Sequence, residues 1–371
     1  MKKNIKLLLV LVATLFLTGC TTILKDKDGK AVIYTEKSVC ETCNSNCETK
    51  FNDEVNNLSE EKENEENNDQ IISKEEKIKV CKDECLKKCE SSKVTQTGQN
   101  LTQNILCKPT DENMIELYTS NGVDLSKLPD CKKLSISTGS YEGIWTTIFV
   151  KPLAWIIVLF GKLFNNYGLS VIVITILIRL VLYPITKKTA LQSEMMKQAQ
   201  PELKRLETKY ANKVDQQSQM QKSQEMMMIY KKYNINPLSG CLFSLIQIPL
   251  FFAFYEALNR LPIIFEGSLL GFNLGITPWV AIFNYKKYFY IIIVALVGVL
   301  TYYSFKLNST ASMSEDQAKQ MKIMSTFSVV LITFMSFRVS ISIALYWIFN
   351  SAFTVVQNLL VKRGKKNDHI I

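Results

Sequence analysis

The sequence predicts an all-α integral membrane protein. We expect five transmembrane helices, an outer interfacial helix, a cytoplasmic helical hairpin and a Cys-rich outer N-terminal segment. Three observations support this prediction: a targeting segment opens the chain, long apolar runs fill residues 143–371 after a polar first part, and basic residues concentrate beside those runs. The mean hydropathy of +0.06 averages two unlike halves, so local windows are more informative than the total.

Residues 1–19 are predicted to be a lipoprotein signal peptide. Three lysines within the first six residues precede the apolar run Leu7–Leu17, which is too short to cross a bilayer because a spanning helix needs about 20 residues. The run ends in Leu17-Thr-Gly-Cys20, which resembles a bacterial lipobox. Small residues before Cys20 favour cleavage there and diacylation of this cysteine, which would anchor the mature N-terminus outside. An ordinary signal peptide followed by a chance cysteine is the alternative.

The outer segment, residues 20–142, carries eight cysteines beyond Cys20, and a location outside the cell permits disulfides. Spacings of three and four place two triplets on helix faces, and their order allows a nested ladder. The ladder and the remaining pair would be Cys40–Cys89, Cys43–Cys85, Cys47–Cys81 and Cys107–Cys131. A metal site and a redox pair at Cys40 and Cys43 are the alternatives. The segment has no His, so we favour structural disulfides and expect no metal.

Five apolar stretches in the second part of the chain predict the transmembrane helices. They are Gly168–Thr186, Asn236–Leu258, Tyr288–Lys306, Met321–Phe337 and Ile341–Val361. The preceding stretch, residues 144–165, contains two lysines and a proline, so it suits a helix lying in the membrane interface. A full span is the alternative for that stretch.

Basic residues predict the orientation. The loop at residues 187–232 holds ten Lys and Arg against five Asp and Glu, and the tail after residue 361 is also basic. Such residues collect on the cytoplasmic side, which places this loop and the C-terminus inside. Apolar residues at helical spacing make residues 187–236 a predicted hairpin, with a turn at Asn212–Asp215 and with Pro201 starting or kinking the first arm. The net charge of +10 is therefore explained by the basic residues that set the orientation in the membrane, and we expect no nucleic-acid specificity.

Arg179 lies inside the first predicted span, nearer the bilayer centre than either surface. A charge there costs at least about 2.5 kcal/mol and needs a partner or water. The spans offer one carboxylate, Glu256, for which Arg260 four residues later is the natural partner. We therefore expect Arg179 to face a wet cavity lined by Thr175 and Gln247. A fixed positive charge there would stabilise acidic residues of a polar segment entering the membrane. Pairing with backbone carbonyls is the alternative.

Catalytic chemistry has little support in the sequence. The one histidine, His369, lies at the C-terminal end, and no nucleophile–base arrangement or phosphate-cradling loop is present. These absences disfavour an enzyme, including one of lipid chemistry, and predict no cofactor.

Three motifs follow one another in the membrane half. They are Tyr167-Gly-Leu-Ser-Val-Ile-Val-Ile-Thr-Ile-Leu-Ile-Arg179, then Asn236-Pro-Leu-Ser-Gly-Cys241 with Gln247-Ile-Pro249, and finally Leu345-Tyr-Trp347. With them, residues 143–363 resemble the YidC-type membrane protein insertases, and the lipobox with five spans looks like the Gram-positive lipoprotein form. The resemblance implies a groove open to the cytoplasm and to lipid. Its lining or flanking residues would be Arg179, Thr175, Gln247, Tyr346 and Trp347.

The resemblance implies a non-covalent insertase for nascent membrane proteins, acting alone or beside the Sec translocon. The basic hairpin and tail would contact the translocon, the ribosome or the signal recognition pathway, and membrane lipids would surround the spans. The Cys-bearing outer segment has no counterpart in the family core. The alternative function is an anion transporter or channel that uses Arg179. The sequence shows no internal repeat and no paired broken helices, which disfavours that alternative.

Overall fold

The computed structural model describes most of the chain: residues 21–36, 79–81, 95–138, 141–236, 239–308 and 315–368. Several predicted features lie outside these ranges: the signal peptide at residues 1–19, Cys20, Cys40, Cys43, Cys47, Cys85 and Cys89. Within the described ranges the protein is mostly helical, with two small two-stranded sheets that the sequence did not predict.

Residues 21–36 and 95–138 form a small N-terminal module. Strand β1 (Ile33–Glu36) pairs antiparallel with β2 (Thr95–Asn100), and helix α1 (Glu112–Ser120) packs beside β1. A disulfide joins Cys107 to Cys131 in the buried interior, and Cys81 is also disulfide-bonded. The sheet escaped prediction because its strands flank a long intervening segment, so neither strand has a local partner.

Helix α2 (Lys151–Phe164) follows a single π-helical stretch, Thr146–Val150. Asn165 ends α2 in the left-handed conformation, at a φ of 50°, and its N–H donates to the carbonyls of the last turn. The next helix, α3 (Tyr167–Tyr210), begins almost at once, since Asn166 caps it by accepting a hydrogen bond from Leu169 N. The tight connection folds α2 back against α3.

The 44-residue helix α3 continues without a break through Pro184 and Pro201. Pro201 therefore does not start the first arm of the hairpin; it lies within one long helix. Helix α4 (Gln216–Lys232) forms the second arm. The arms bury Met196, Leu203 and Tyr230 between them and are joined by the ion pairs Lys209–Glu225, 2.7 Å, and Lys232–Glu202, 2.6 Å. These bonds from the two lysines lower the pKa of Glu225 and Glu202.

Eight further elements complete the fold: α5 (Ser239–Asn259), α6 (Pro262–Phe265), β3 (Ser268–Leu269), β4 (Phe272–Asn273), α7 (Pro278–Phe283), α8 (Ile291–Asn308), α9 (Glu315–Ser336) and α10 (Ile341–Asp368). Helix α10 packs against α3 and α8, α5 packs against α3, and α9 packs against α8. The short elements between α5 and α8 meet the N-terminal module, which defines the module end of this bundle. The arms of α3 and α4 extend from the opposite, hairpin end.

Four helices in the described part of the chain are long and apolar enough to cross a membrane. They are Thr146–Phe164, Tyr167–Tyr210, Tyr288–Leu307 and Ile341–Gly364. The last three coincide with predicted spans, whereas the first is the helix for which the sequence favoured an interfacial position. The other two predicted spans correspond to α5 and to α9, whose apolar part, Lys322–Ser336, is shorter than a typical span.

Arg260 fastens the N-terminal module to the module end of the bundle. Its side chain is fully buried, its Nε donates to Asn104 O at 2.6 Å, and its guanidinium pairs with Glu142. The predicted pairing with Glu256 was wrong, since Glu256 instead accepts a hydrogen bond from Trp145 Nε1 at 2.7 Å. The i, i+4 spacing brings two side chains of a helix near each other but does not choose between competing partners. The backbone N–H of Arg260 still donates to Glu256 O at 3.0 Å, while its side chain is directed toward Asn104 and Glu142.

Gly98 of β2 is in close contact with helix α7. Its φ is +75°, and a Cβ added there would lie 2.5 Å from Thr277 Oγ1 and 2.6 Å from Val280 Cγ2. Backbone hydrogen bonding continues beside it, since Thr277 N donates to Thr97 O at 2.8 Å. Any larger residue at Gly98 must therefore push the module away from the bundle.

We expect Gly98→Ala to loosen the module. The clash should cost about 1–3 kcal/mol beyond the strain of the backbone, because the obstructing atoms belong to a packed helix. The matched control is Gly29→Ala, which has the same strain at a φ of +77° but no atom within 4 Å of the added Cβ. Proteolysis of the module in proteoliposomes measures the difference. Equal cleavage rates in the two variants would contradict the prediction.

Candidate functional site

The site is built around Arg179, which lies on α3 with only 2% of its surface exposed. Its Nε donates to Asn350 Oδ1 at 2.6 Å, and its Nη2 donates to Gln247 Oε1 at 2.5 Å and also to Asn350 Oδ1. Gln247 belongs to α5 and Asn350 to α10. Three helices therefore meet at one guanidinium group.

Side-chain amides are hydrogen-bond partners of Arg179. The sequence offered no opposite charge for this residue, and the structure supplies the amides of Asn350 and of Gln247, which was expected to line the site. Amide oxygens satisfy the N–H donors of a buried guanidinium, which would otherwise be costly. They are neutral, however, so these bonds leave the positive charge in place. In this conformation Arg179 is packed within the bundle rather than exposed in an open cavity.

Tyr346 extends the network across the bundle. Gln247 Nε2 donates to its hydroxyl oxygen at 3.2 Å, and its ring stacks on Phe254 with centroids 4.4 Å apart. Only 1% of Tyr346 is exposed, so the ring and the hydrogen bond both hold Gln247 in place beside Arg179.

The other two predicted site residues lie nearby but point elsewhere. Thr175, one turn before Arg179, is buried and donates to Val171 O at 2.7 Å, so its hydroxyl is turned back on its own helix. Trp347 is partly buried and stacks on Phe251 of α5 with centroids 5.7 Å apart. The structure thus groups Arg179 with Gln247 and Tyr346, and it places Thr175 and Trp347 at the margin.

A line of buried and half-buried polar side chains continues from Arg179 toward the hairpin end. Thr186 of α3 donates to Gln357 Oε1 of α10 at 2.9 Å, whereas Thr354 and Asn358 donate to backbone carbonyls of their own helix, Asn350 O at 2.9 Å and Thr354 O at 2.8 Å. We call this line the polar seam: Arg179, Thr186, Gln247, Asn350, Thr354, Gln357 and Asn358. It runs between α3 and α10 and ends beside a cavity of about 70 Å³ that Asn358 and Lys197 help to line.

The α10 half of this seam was not predicted from the sequence. A usable signal was present, because positions 350, 354, 357 and 358 follow the three- and four-residue spacing of one helix face. Polar residues repeating on one face of an apolar span indicate a buried polar contact. These polar residues carry no charge, so the expectation of an oppositely charged partner for Arg179 did not include them.

The family model described as 60Kd inner membrane protein matches residues 159–368 of the chain. Membrane protein insertase YidC of Oceanobacillus iheyensis is 36% identical over 231 residues, which cover 61% of this chain and 86% of that protein. Membrane protein insertase YidC 2 of Listeria innocua is 35% identical over 62% of this chain and 76% of its own length. Membrane protein insertase MisCA of Bacillus subtilis is 35% identical over 61% and 82%. The family match begins after the N-terminal module.

Asn350 is testable as the acceptor of a buried charge. We expect Asn350→Leu to lower the free energy of unfolding by about 2 kcal/mol, because Arg179 loses a charge-assisted hydrogen bond. Arg179→Met should rescue Asn350→Leu, since removal of both partners leaves no buried charge to satisfy. Unfolding in bicelles followed by steric trapping measures each variant. Strictly additive effects of the two substitutions would show that the residues are not coupled.

Proposed function

The chain belongs to the 60Kd inner membrane protein family, and on this premise we propose that it inserts nascent membrane proteins by way of Arg179 and the polar seam. It is a multi-pass membrane protein and, like its curated relatives, a membrane protein insertase. The observation that carries the mechanism is a buried guanidinium held by neutral amides where three helices meet. The mechanism needs no covalent step.

The amide partners suit a charge that must change partners. A carboxylate on a client segment would bind Arg179 more strongly than an amide oxygen does, because the attraction between two opposite charges is added to the hydrogen bond. The client's acidic residue would therefore displace Asn350 or Gln247 from the guanidinium. The released amides have both donors and acceptors, so they can bind the polar backbone of the same client.

The polar seam gives such a client a route from the hairpin end. Each buried hydroxyl or amide along it can exchange a hydrogen bond within the protein for one with the client. The free-energy cost of moving a polar segment to the level of Arg179 is therefore divided among several exchanges of hydrogen bonds. The basic hairpin lies at the entrance, which we assign to the cytoplasm from the excess of Lys and Arg.

An apolar surface beside the site suits the client's transmembrane segment. Leu180 and Val181 on α3 are 53% and 76% exposed, and Ile248 and Phe252 on α5 are 50% and 45% exposed. Trp347 stacks on Phe251 near this surface. A client helix could slide along it into lipid while its polar end remained at the seam.

The proposed topology has five spans, a lipid-anchored N-terminus outside and a cytoplasmic C-terminus, with α2 along the outer surface. Near its start, Lys151 Nζ donates to Thr138 O at 3.1 Å. Near its end, Lys162 lines a cavity together with Thr110 and Lys132. Both ends of the 19-residue stretch, about 28 Å at 1.5 Å per residue, therefore adjoin the N-terminal module. A helix that crossed the membrane would contact the module at one end only.

Partners beyond the client remain proposals. The exposed lysines of the hairpin and tail suit contacts with the ribosome, the signal recognition pathway or the Sec translocon. The names of the relatives give no support to the alternative of an anion transporter or channel.

The position of α2 can be measured by spin labels at Ile148 and Leu163, which are 58% and 72% exposed. We expect both labels to report similar, shallow depths in power-saturation measurements, because an interfacial helix lies parallel to the surface. Labels at Leu169 and Val181 of α3 should differ in depth and serve as the control. One label deep in the bilayer, or labels on opposite faces, would identify α2 as a span.

The role of the charge can be tested in cells depleted of the wild-type protein. We expect Arg179→Ala to lower insertion of a client with acidic residues in its translocated tail by tenfold or more, corresponding to roughly 1.4 kcal/mol. Arg179→Lys should retain most activity because it keeps the charge. A client without acidic residues is the matched control and should be less affected. Full activity of the alanine variant on the acidic client would reject the mechanism.

Crosslinking can separate an insertase from a transporter. A photoreactive residue in place of Trp347 should capture a nascent span during synthesis, because the client is expected to pass the apolar surface beside Phe251. The same probe at Tyr303 of α8, which is 47% exposed, is the control and should capture less. Equal capture at both positions would show contact without a defined path.

A further inference from the structure

A cavity of about 450 Å³ lies at the module end, away from Arg179 and the polar seam. Thr110 and Lys132 of the N-terminal module form one side, and Lys162, Asn165, Tyr167 and Glu266 of the membrane half form the other. The volume is within the range of roughly 300–1,000 Å³ that is typical of small-ligand sites. Because the module and the bundle share its walls, an occupant would contact both.

The lining of the cavity favours an anion. Lys132 and Lys162 contribute two ammonium groups, and within the described part of the chain neither makes an ion pair. The carboxylate of Glu266 is engaged by the module, since its Oε1 accepts from Thr110 N at 2.8 Å and Asp111 N at 3.0 Å, and its Oε2 accepts from the Thr110 hydroxyl. Glu266 therefore pairs with neither lysine; its negative charge offsets part of theirs, and the lining keeps an excess of one positive charge.

The start of α3 adds to the positive potential. Tyr167, the first residue of this 44-residue helix, lines the cavity. Asn166 accepts from the N–H groups of Leu169 and Ser170, and the helix dipole at this end favours a negative group. Two ammonium groups and a helix N-terminus around one cavity suit the oxygens of a phosphate.

The neighbouring surface indicates the source of that phosphate. Leu163 and Phe164 follow Lys162 directly and are 72% and 36% exposed, and Leu169 in the first turn of α3 is 38% exposed. Apolar side chains next to a cationic pocket match the boundary between lipid headgroups and acyl chains. A free phosphate ion would use the lysines and leave this apolar rim exposed.

We propose that the cavity binds the phosphate of an anionic phospholipid, from the leaflet that faces the N-terminal module, with the acyl chains along Leu163, Phe164 and Leu169. The lipid bridges Lys132 of the module and Lys162 of the bundle. It therefore strengthens the attachment of the module to the membrane half. The cavity lies apart from the proposed client route. The lipid proposal can therefore be tested separately from the proposed mechanism of insertion.

The test uses the full-length protein in nanodiscs of mixed phosphatidylglycerol and phosphatidylcholine. Native mass spectrometry counts the lipids that stay bound after the disc is removed. The wild type should retain phosphatidylglycerol selectively, and Lys132→Gln with Lys162→Gln should weaken retention by about fivefold for each lysine. The matched control, Lys133→Gln with Lys287→Gln, also removes one lysine from the module and one from the bundle. Neither of these residues lines the cavity, so retention should equal that of the wild type.

Two further measurements distinguish a bound lipid from a free anion and from misfolding of the glutamine variant. Millimolar inorganic phosphate should not displace the lipid; displacement would assign the cavity to a free anion and overturn the proposal. Lys132→Arg with Lys162→Arg keeps both charges and should keep the lipid, which guards against loss through misfolding of the glutamine variant. Equal retention by the glutamine variant and its control, or equal retention of the two lipids by the wild type, would also overturn the proposal.

Discussion

The bundle depends on one constraint, which is that a guanidinium charge is buried among apolar helices. An unsatisfied charge at that depth is costly, so every donor of Arg179 needs an acceptor. Asn350 and Gln247 supply acceptors from two other helices, and Tyr346 holds Gln247 in place. The contact consequently fixes how α3, α5 and α10 approach one another.

The acceptors of the Arg179 hydrogen bonds are neutral amides, and this property connects the buried charge to the proposed insertion of client proteins. A buried carboxylate would neutralise Arg179 in a pair that is hard to break, because removal of one partner leaves an uncompensated charge. The amides of Asn350 and Gln247 accept hydrogen bonds from Arg179 without carrying an opposite charge. The resting protein is therefore stable, yet a client with a carboxylate has something to gain by replacing an amide.

A second buried arginine shows the contrasting case. Arg260 is fully buried at the module end, where it pairs with Glu142 and donates to a backbone carbonyl. Its positive charge is paired with the carboxylate of Glu142, and its side chain joins the N-terminal module to the helical bundle. One arginine is thus held by a carboxylate, and the other is held by side-chain amides. Arg260 lies within the matched residues 159–368, whereas its partners Asn104 and Glu142 precede them, so this contact joins the matched part of the chain to the part before it.

The sequence by itself determined the apolar helices, the place of Arg179 within one of them and the family motifs. These features depend on local composition and spacing, which a single chain segment displays in full. Tertiary structure alone decided the partners. Asn350 is 171 residues from Arg179, the strands of the first sheet flank a long segment, and Glu142 is 118 residues from Arg260. The physical reason is that a buried polar group forms hydrogen bonds with the groups that the fold places near it. Separation along the sequence does not indicate which groups those will be.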